Sequence, residues 1–269
     1  MTRHRRWAAY RGGMSTIRPP IGGAPTPAAG VPAPEVTGHN AGEVAGDGSG
    51  DGAGDGAGEV GSQVRSEVAG DVAGDVAAAK RAVRGPLLAA RRTRTAADRA
   101  AARAAIARHL IAALAGRTCV AGYLPLPTEP LDPALLPGLA NDLRVLIPVV
   151  TGPDPLQWCE YTAATRPGGL GIEEPTGPRL GPQAIAEADV VLVPALAVAA
   201  DGYRLGRGGG HYDRTLALRA RLRGDRPDEL IALVYDNEFG PPVPHDDLDR
   251  PVTAVVTPAR GLVRLRAGY

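Results

Sequence analysis

Lysine and cysteine are scarce in this sequence, and long apolar runs are missing. Of the 30 cationic side chains, only Lys80 is a lysine. Cys119 and Cys159 are too few for a disulfide framework and lack the spacing of a metal site, so we expect a reducing, cytoplasmic location. The absence of 18 consecutive apolar residues argues against a membrane span. A formal net charge of +1 excludes a polycation that coats nucleic acid or a membrane surface.

Residues 1–79 contain little that could form a core. They include 17 Gly and 6 Pro but no Leu or Phe. Such a segment cannot offset an ordering entropy of roughly 1–2 kcal/mol per residue. A Gly-Asp-rich repeat from Glu43 to Val76 lacks the nonapeptide spacing of a calcium-binding β-roll. We therefore predict a disordered Gly/Pro/Asp-rich extension over 1–79, followed by one domain over 80–269.

Helical and strand patterns alternate from Lys80 onward. Helices are predicted over 80–115, Pro133–Asn141 and Tyr212–Arg223. Strands are predicted over Thr118–Leu124, Arg144–Val150, Leu156–Tyr161, Asp189–Val193, Glu229–Tyr235 and Val252–Thr257. The nearly continuous apolar run DVVLV is typical of a buried parallel strand. This order predicts an α/β fold, a single three-layer domain with a largely parallel sheet.

A glycine loop, Gly206–Gly210, follows one of these strands and directly precedes a helix. Glycines let the backbone approach a ligand closely, and their N–H groups together with a helix N-terminus favour anions. Arg204 and Arg207 flank the loop with guanidinium groups suited to phosphate. Asp213, in the first helical turn, is either a Mg²⁺ ligand or a complement to the helix dipole. The loop matches neither GxxxxGK nor GxGxxG, and it could also form only a turn.

The segment RLGRGGGHYDR, from Arg204 to Arg214, resembles the signature of the 5-formyltetrahydrofolate cyclo-ligase family. Four more segments resemble the family in the same order, over about residues 80–258: Lys80-x-x-x-Arg84, Tyr123–Glu129 (YLPLPTE), Gly171–Pro175 (GIEEP) and Val243–Thr257. The chain departs from the family pattern at Val198-Ala199, His211 and Thr253.

The resemblance implies a fold of the ribose-5-phosphate isomerase and coenzyme A transferase type. It also implies a reaction in which ATP and 5-formyltetrahydrofolate give 5,10-methenyltetrahydrofolate, ADP and phosphate with Mg²⁺. Phosphorylation turns the formyl oxygen into a leaving group, and N10 of the same folate attacks the activated carbon. The substrate therefore supplies the nucleophile, and the protein supplies position and charge.

The resemblance also implies which residues form the site. ATP would contact Lys80, Arg84, Arg204, Leu205, Gly206, Arg207, Gly208, Gly209, Gly210, His211 and Tyr212. The folate would contact Leu124, Glu129, Arg207, Gly208, Gly209, Gly210 and His211. Mg²⁺ would be held by Asp213 and Asp249, with Asp246 or Asp247 as alternatives to Asp249.

Several roles stay open at this stage. Arg207 and Lys80 are the candidate catalytic residues, and their partners are ATP and 5-formyltetrahydrofolate. Glu129 could instead be a solvated loop acid, and His211 could pack on the ligand or shuttle protons. We expect a monomer that binds neither nucleic acid nor membrane.

Three other functions compete with this hypothesis. The same fold could carry an isomerase or coenzyme A transferase, which would need a carboxylate base or nucleophile and no ATP. The chain could be a non-catalytic folate- or nucleotide-binding relative. The arginines between 81 and 108 could serve a nucleic-acid binder, although no RNA-binding motif is present.

Overall fold

A computed structural model describes residues 58–168 and 171–265, with side chains from residue 74 onward. Most of the predicted extension, residues 1–57, lies outside this part. The first helix, α1, spans Gly58–Thr93. Helix α1 therefore begins within the predicted extension, and the disorder predicted for residues 1–79 stays a prediction. A helix adds one hydrogen bond per residue once nucleated, so the segment that packs on the domain extends into sequence of weak propensity.

The helix predicted over 80–115 consists of two helices. Helix α1 ends at Thr93, and α2 spans Ala96–Ala113. Thr95 caps α2 because its side-chain oxygen accepts a hydrogen bond from the Asp98 N–H at 3.1 Å. Within the described residues, no helix is long and apolar enough to cross a lipid bilayer.

A seven-stranded sheet forms the centre of the domain. Its strands are β1 (Cys119–Ala121), β2 (Arg144–Val149), β3 (Gln157–Glu160), β6 (Val190–Pro194), β9 (Leu230–Leu233), β11 (Ala254–Thr257) and β12 (Gly261–Arg264). The spatial order is β12-β11-β9-β6-β1-β2-β3. The five inner strands are mutually parallel, and the two edge strands are antiparallel. The predicted largely parallel sheet is confirmed.

Helices cover both faces of this sheet. Along β6, Val191 and Val193 share a buried cluster with Leu216 of helix α4 (His211–Arg223) and with the 3₁₀ turn Pro182–Glu187. Because side chains alternate along a strand, the residues of β6 next to Val191 and Val193 in the sequence point to the opposite face. On that face α2 packs against β11 and β12, and α3 (Leu135–Asp142) packs against β2. The three-layer prediction is confirmed.

Short strands around this core escaped prediction. The strands β7 (Ala197–Ala199), β8 (Arg204–Leu205) and β10 (Phe239–Gly240) form a small sheet, and β4 (Thr165–Pro167) pairs with β5 (Glu173–Pro175). The sheet also continues past the predicted last core strand, because β12 pairs with β11. This edge strand is only partly buried, so it lacks the apolar run that identified the inner strands.

Candidate functional site

A cavity of about 560 Å³ opens at the carboxyl ends of the parallel strands. Tyr123 and Leu124 follow β1, Val150 follows β2, and Ala195 and Leu196 follow β6. This is where ligands bind in open α/β sheets, because the loops that leave parallel strands meet at one edge. Helix α1, the glycine loop, the first turn of α4, the segment Ile172–Glu174 and the loop with Asp246 and Asp249 form other walls.

All of the site residues nominated from the sequence line this one cavity. They are Lys80, Arg84, Leu124, Glu129, Arg204, Leu205, Gly206, Arg207, Gly208, Gly209, Gly210, His211, Tyr212, Asp213 and Asp249. The fold therefore brings together segments that are more than 100 residues apart in the sequence.

The backbone of the glycine loop needs glycine at two positions. Gly208 has φ +102° and Gly210 has φ +65°, a region that other residues seldom adopt. A Cβ at Gly208 would lie 3.4 Å from the Arg84 guanidinium. Arg84 itself donates from Nε to the Gly206 carbonyl at 2.9 Å. Helix α1 thus holds a guanidinium directly against the loop.

The predicted phosphate-binding cations and the predicted metal ligands form ion pairs with each other. Lys80 Nζ lies 2.5 Å from Asp249 Oδ2 and 3.0 Å from Asp246 Oδ2. Burial opposes the charge on Lys80, but these two hydrogen bonds raise the pKa of the ammonium above its ordinary value. On the other side of the loop, Arg204 donates from Nη2 to Asp213 Oδ1 at 2.8 Å.

The acidic residues suit a Mg²⁺ ion that is also bound by phosphate. Within the described residues, no three His, Cys, Asp or Glu side chains cluster closely enough to hold a metal by themselves. Mg²⁺ in nucleotide sites takes few carboxylates and completes its shell with phosphate oxygens and water. Asp213 and Asp249 fit that pattern, as does Asp246, whereas Asp247 is exposed.

Glu129 lies in the wall of the cavity and is only 6 % exposed. The alternative of a solvated loop acid is therefore wrong. Its Oε2 accepts from the Leu126 N–H at 3.0 Å. Burial raises the pKa of the carboxyl, although this hydrogen bond and the charges of Arg91, Arg207 and Arg103 oppose the shift. Arg207 of the glycine loop and Glu129 line the same cavity.

Sequence reasoning assigned no role to several cavity residues. Tyr123 and Glu174 belong to motifs that were recognised, and Ala195 directly follows a buried strand. Their positions in those motifs were the available signal. Burial raises the pKa values of the Tyr123 and Tyr212 phenols, so both are neutral. The Tyr212 hydroxyl is buried, and no described residue partners it.

Each of the three departures from the family pattern has a defined place in the fold. Thr253 Oγ1 accepts from the Leu230 N–H at 2.8 Å and so joins the start of β9 to the segment before β11. Val198 and Ala199 are buried in β7. His211 starts α4, and its Nδ1 lies 3.2 Å from Arg214 Nη2.

Comparison with known proteins identifies the family. A sequence model of the 5-formyltetrahydrofolate cyclo-ligase family matches residues 76–258. The chain belongs to this family. It is therefore an enzyme, a ligase, and the family match favours this activity over the isomerase and coenzyme A transferase alternatives.

Two curated cyclo-ligases are similar to this chain. The 5-formyltetrahydrofolate cyclo-ligase of Mycolicibacterium smegmatis is 44 % identical over 164 residues, which cover 57 % of this chain and 79 % of that protein. The Escherichia coli K12 protein of the same name is 33 % identical over 76 residues, covering 28 % of this chain and 40 % of that protein.

Two solved structures share the fold. The 5,10-methenyltetrahydrofolate synthetase of Aquifex aeolicus aligns with a TM-score of 0.56 and 28 % identity, covering 71 % of this chain and 94 % of that chain. The synthetase of Mycoplasma pneumoniae aligns with a TM-score of 0.53 and 21 % identity, covering 66 % and 98 %, and supports the fold alone.

Proposed function

We propose that this enzyme converts 5-formyltetrahydrofolate and ATP into 5,10-methenyltetrahydrofolate, ADP and phosphate, with Mg²⁺. The observation that carries the proposal is the composition of this cavity. Five cationic side chains, a glycine loop and the buried carboxylate of Glu129 line it together. Membership of the cyclo-ligase family supplies the folate substrate class.

The chemistry needs no nucleophile from the protein. A formamide carbonyl is a poor electrophile, and its oxygen is a poor leaving group. Transfer of the γ-phosphoryl group to the formyl oxygen makes phosphate the leaving group. N10 of the folate then bonds to the formyl carbon, the carbon–oxygen bond breaks, and N10 loses its proton. The protein must hold the formyl oxygen in line with the γ-phosphate and neutralise developing charge.

Lys80, Arg84, Arg204 and Arg207 would bind the phosphates, assisted by the N–H groups of the glycine loop. In the structure Lys80 and Arg204 hold Asp249 and Asp213 instead. Binding of the triphosphate would replace these carboxylates as partners of the cations. The released Asp213 and Asp249 would then hold Mg²⁺, which neutralises charge on the phosphate oxygens.

Arg207 would act where the two substrates meet. It is exposed and lines the same cavity as Glu129. Its guanidinium could therefore contact the γ-phosphate while Glu129 binds the donor edge of the pterin. Leu124, from the same wall as Glu129, would contact the ring itself.

An absorbance assay tests the proposal. Purified protein, Mg²⁺ and 5-formyltetrahydrofolate are mixed with and without ATP, and the methenyl chromophore is followed in the near ultraviolet. We expect growth of the band only with ATP. Lys80→Ala and Arg207→Ala should each lower kcat/KM for ATP by roughly ten- to a hundredfold, because each removes a charge-assisted hydrogen bond.

Arg92→Ala is the matched control, since Arg92 is an exposed cation of the same helix α1. It should behave as wild type. Folate binding without turnover would favour a non-catalytic relative, and a band that grows without ATP would refute the phosphorylation mechanism. An equal decrease of kcat/KM in all three variants would contradict the proposed role of Lys80 and Arg207 in binding ATP.

A further inference from the structure

A buried ion pair lies behind the cavity. Arg91 of α1 donates from Nε to Glu238 Oε1 and from Nη2 to Glu238 Oε2, both at 2.8 Å. The two side chains are 1 % and 2 % exposed. Two parallel hydrogen bonds fix the orientation of a guanidinium as well as its position. The pair therefore ties α1 to the 3₁₀ turn Asp236–Glu238 in one geometry.

One partner of this pair, Arg91, belongs to the helix that carries the proposed phosphate-binding cations. Arg91 lies on α1 about three turns after Lys80 and two turns after Arg84. Its Nη2 also donates to the Ala195 carbonyl at 2.7 Å, and Ala195 lines the cavity. The position of both cations relative to the cavity wall thus depends on where Arg91 holds the helix.

The other partner, Glu238, is connected through Tyr235 to the loop that carries Glu129. Glu238 Oε2 accepts from the Tyr235 N–H at 2.9 Å, and the Tyr235 hydroxyl donates to the Thr128 carbonyl at 3.2 Å. Arg103 of α2 supports the same loop by donating to the Glu129 carbonyl at 3.1 Å. A continuous set of hydrogen bonds therefore runs from α1 through Glu238 to the Glu129 loop.

We propose that Arg91 and Glu238 are positioning residues that hold the cations of α1 and the Glu129 loop at a fixed separation. The inference rests on the proposed function, because it assumes that these walls bind ATP and folate. Neither Arg91 nor Glu238 lines the cavity, so both act through residues that do. A buried ion pair is a poor means of stabilising a fold, since apolar replacements are often as stable. The Arg91–Glu238 pair joins two walls of the site through directional hydrogen bonds, and apolar residues could not supply these.

Conservative variants test this role. Arg91→Lys keeps the charge but loses the two-point contact, and it should raise KM for both ATP and 5-formyltetrahydrofolate by roughly tenfold, because small misplacements of binding groups are costly. Tyr235→Phe removes only the contact with Thr128. It should raise KM for the folate by roughly two- to tenfold and leave KM for ATP unchanged.

Arg219→Lys is the matched control. Arg219 is a fully buried arginine that pairs with Asp228 at 2.8 Å and donates to two backbone carbonyls, and none of these partners lines the cavity. This variant should lower the thermal unfolding temperature with both KM values unchanged. Unchanged KM values in folded Arg91→Lys and in Tyr235→Phe would overturn the proposal. Should Arg91→Lys fail to fold, Glu238→Gln takes its place, and Tyr235→Phe decides in either case.

A second readout does not depend on turnover. Amide hydrogen exchange over 77–88 and 124–129 should be faster in Arg91→Lys than in wild type, and wild-type-like in Arg219→Lys. Equal exchange in the two variants would count against the proposal. Absence of wild-type turnover would refute the proposed function instead, so the two failures can be told apart.

Discussion

At the scale of the residue, Glu129 links ionisation to binding. It is buried in the cavity wall near Arg207, and burial raises the pKa of its carboxyl. A raised acid pKa means that the folded state favours the protonated form. The ionised carboxylate therefore costs stability above that pKa, and the cost disappears as the pH falls through it. Such a cost is typical of a group retained for function.

We predict that Glu129→Gln increases the free energy of unfolding at neutral pH while it weakens substrate binding. The gain should vanish as the pH falls toward the ordinary value of 4.5, where wild-type Glu129 is itself protonated. KM for 5-formyltetrahydrofolate should rise by roughly tenfold through loss of a charge-assisted hydrogen bond. Urea unfolding at several pH values and steady-state kinetics measure both effects. Glu173→Gln, an exposed acid of the same cavity, should leave stability unchanged.

The two cysteines give a simpler prediction. Both are buried and free, and burial raises the pKa of the Cys119 thiol to about 11. The reactive thiolate is therefore scarce and shielded at neutral pH. A thiol–disulfide exchange reagent should label neither cysteine in the folded protein and both after denaturation. Rapid labelling of one native thiol would contradict this placement.

At the scale of the element, the glycine loop joins backbone shape to ligand contact. Gly208→Ala should reduce the free energy of unfolding by roughly 1–3 kcal/mol, because its positive φ is strained for alanine. The added Cβ would lie in van der Waals contact with the Arg84 guanidinium, at 3.4 Å. Gly206→Ala is the control, since a Cβ there meets no atom within 4 Å. Urea denaturation should give a lower free energy of unfolding for Gly208→Ala than for Gly206→Ala. An equal decrease in both variants would contradict a specific need for glycine at position 208.

The arginine-rich helices show why a charge pattern alone is ambiguous. Arg91 pairs with Glu238, Arg94 donates to Asn237, and Arg103 donates to the Glu129 carbonyl. These arginines act as internal donors that join helices to loops. Their use within the domain favours a structural role over binding of nucleic acid, a distinction that spacing along a helix could not make.

At the scale of the whole molecule, the boundary of the active domain remains a prediction. Ala77 is the first residue of α1 that lines the cavity, and the family match begins at residue 76. A truncated chain that begins at Val76 should therefore keep full turnover. A chain that begins at Gly85 keeps Arg91 but loses Lys80 and Arg84, and it should lose turnover. Circular dichroism would verify that both fold, and loss of activity in the longer chain would give residues 1–75 a role.

The inner strands and the site motifs could be predicted because their signals are local. Asp189–Val193 is apolar enough to identify a buried strand, and observed Val190–Pro194 agrees within one residue. The glycine loop is recognisable because few backbones need so many glycines together. By contrast, β8 and β10 have only two residues each, too few to show an alternating pattern, and β10 also pairs with β7 from about 40 residues away. The break at Thr95 was missed because flanking residues on both sides favour helix.

The sequence by itself determined the α/β class, the order of the inner elements and a set of residues that line one cavity. Periodicity and residue chemistry are properties of short segments, so they can be recognised in the sequence alone. Only the tertiary structure decided that Glu129 is buried, that Lys80 and Arg204 hold the nominated metal ligands, and that Arg91 joins α1 to Glu238. The Lys80 and Arg91 contacts join residues more than 100 positions apart, the Arg204 contact depends on how the glycine loop folds, and burial depends on the whole domain, so no local pattern records them.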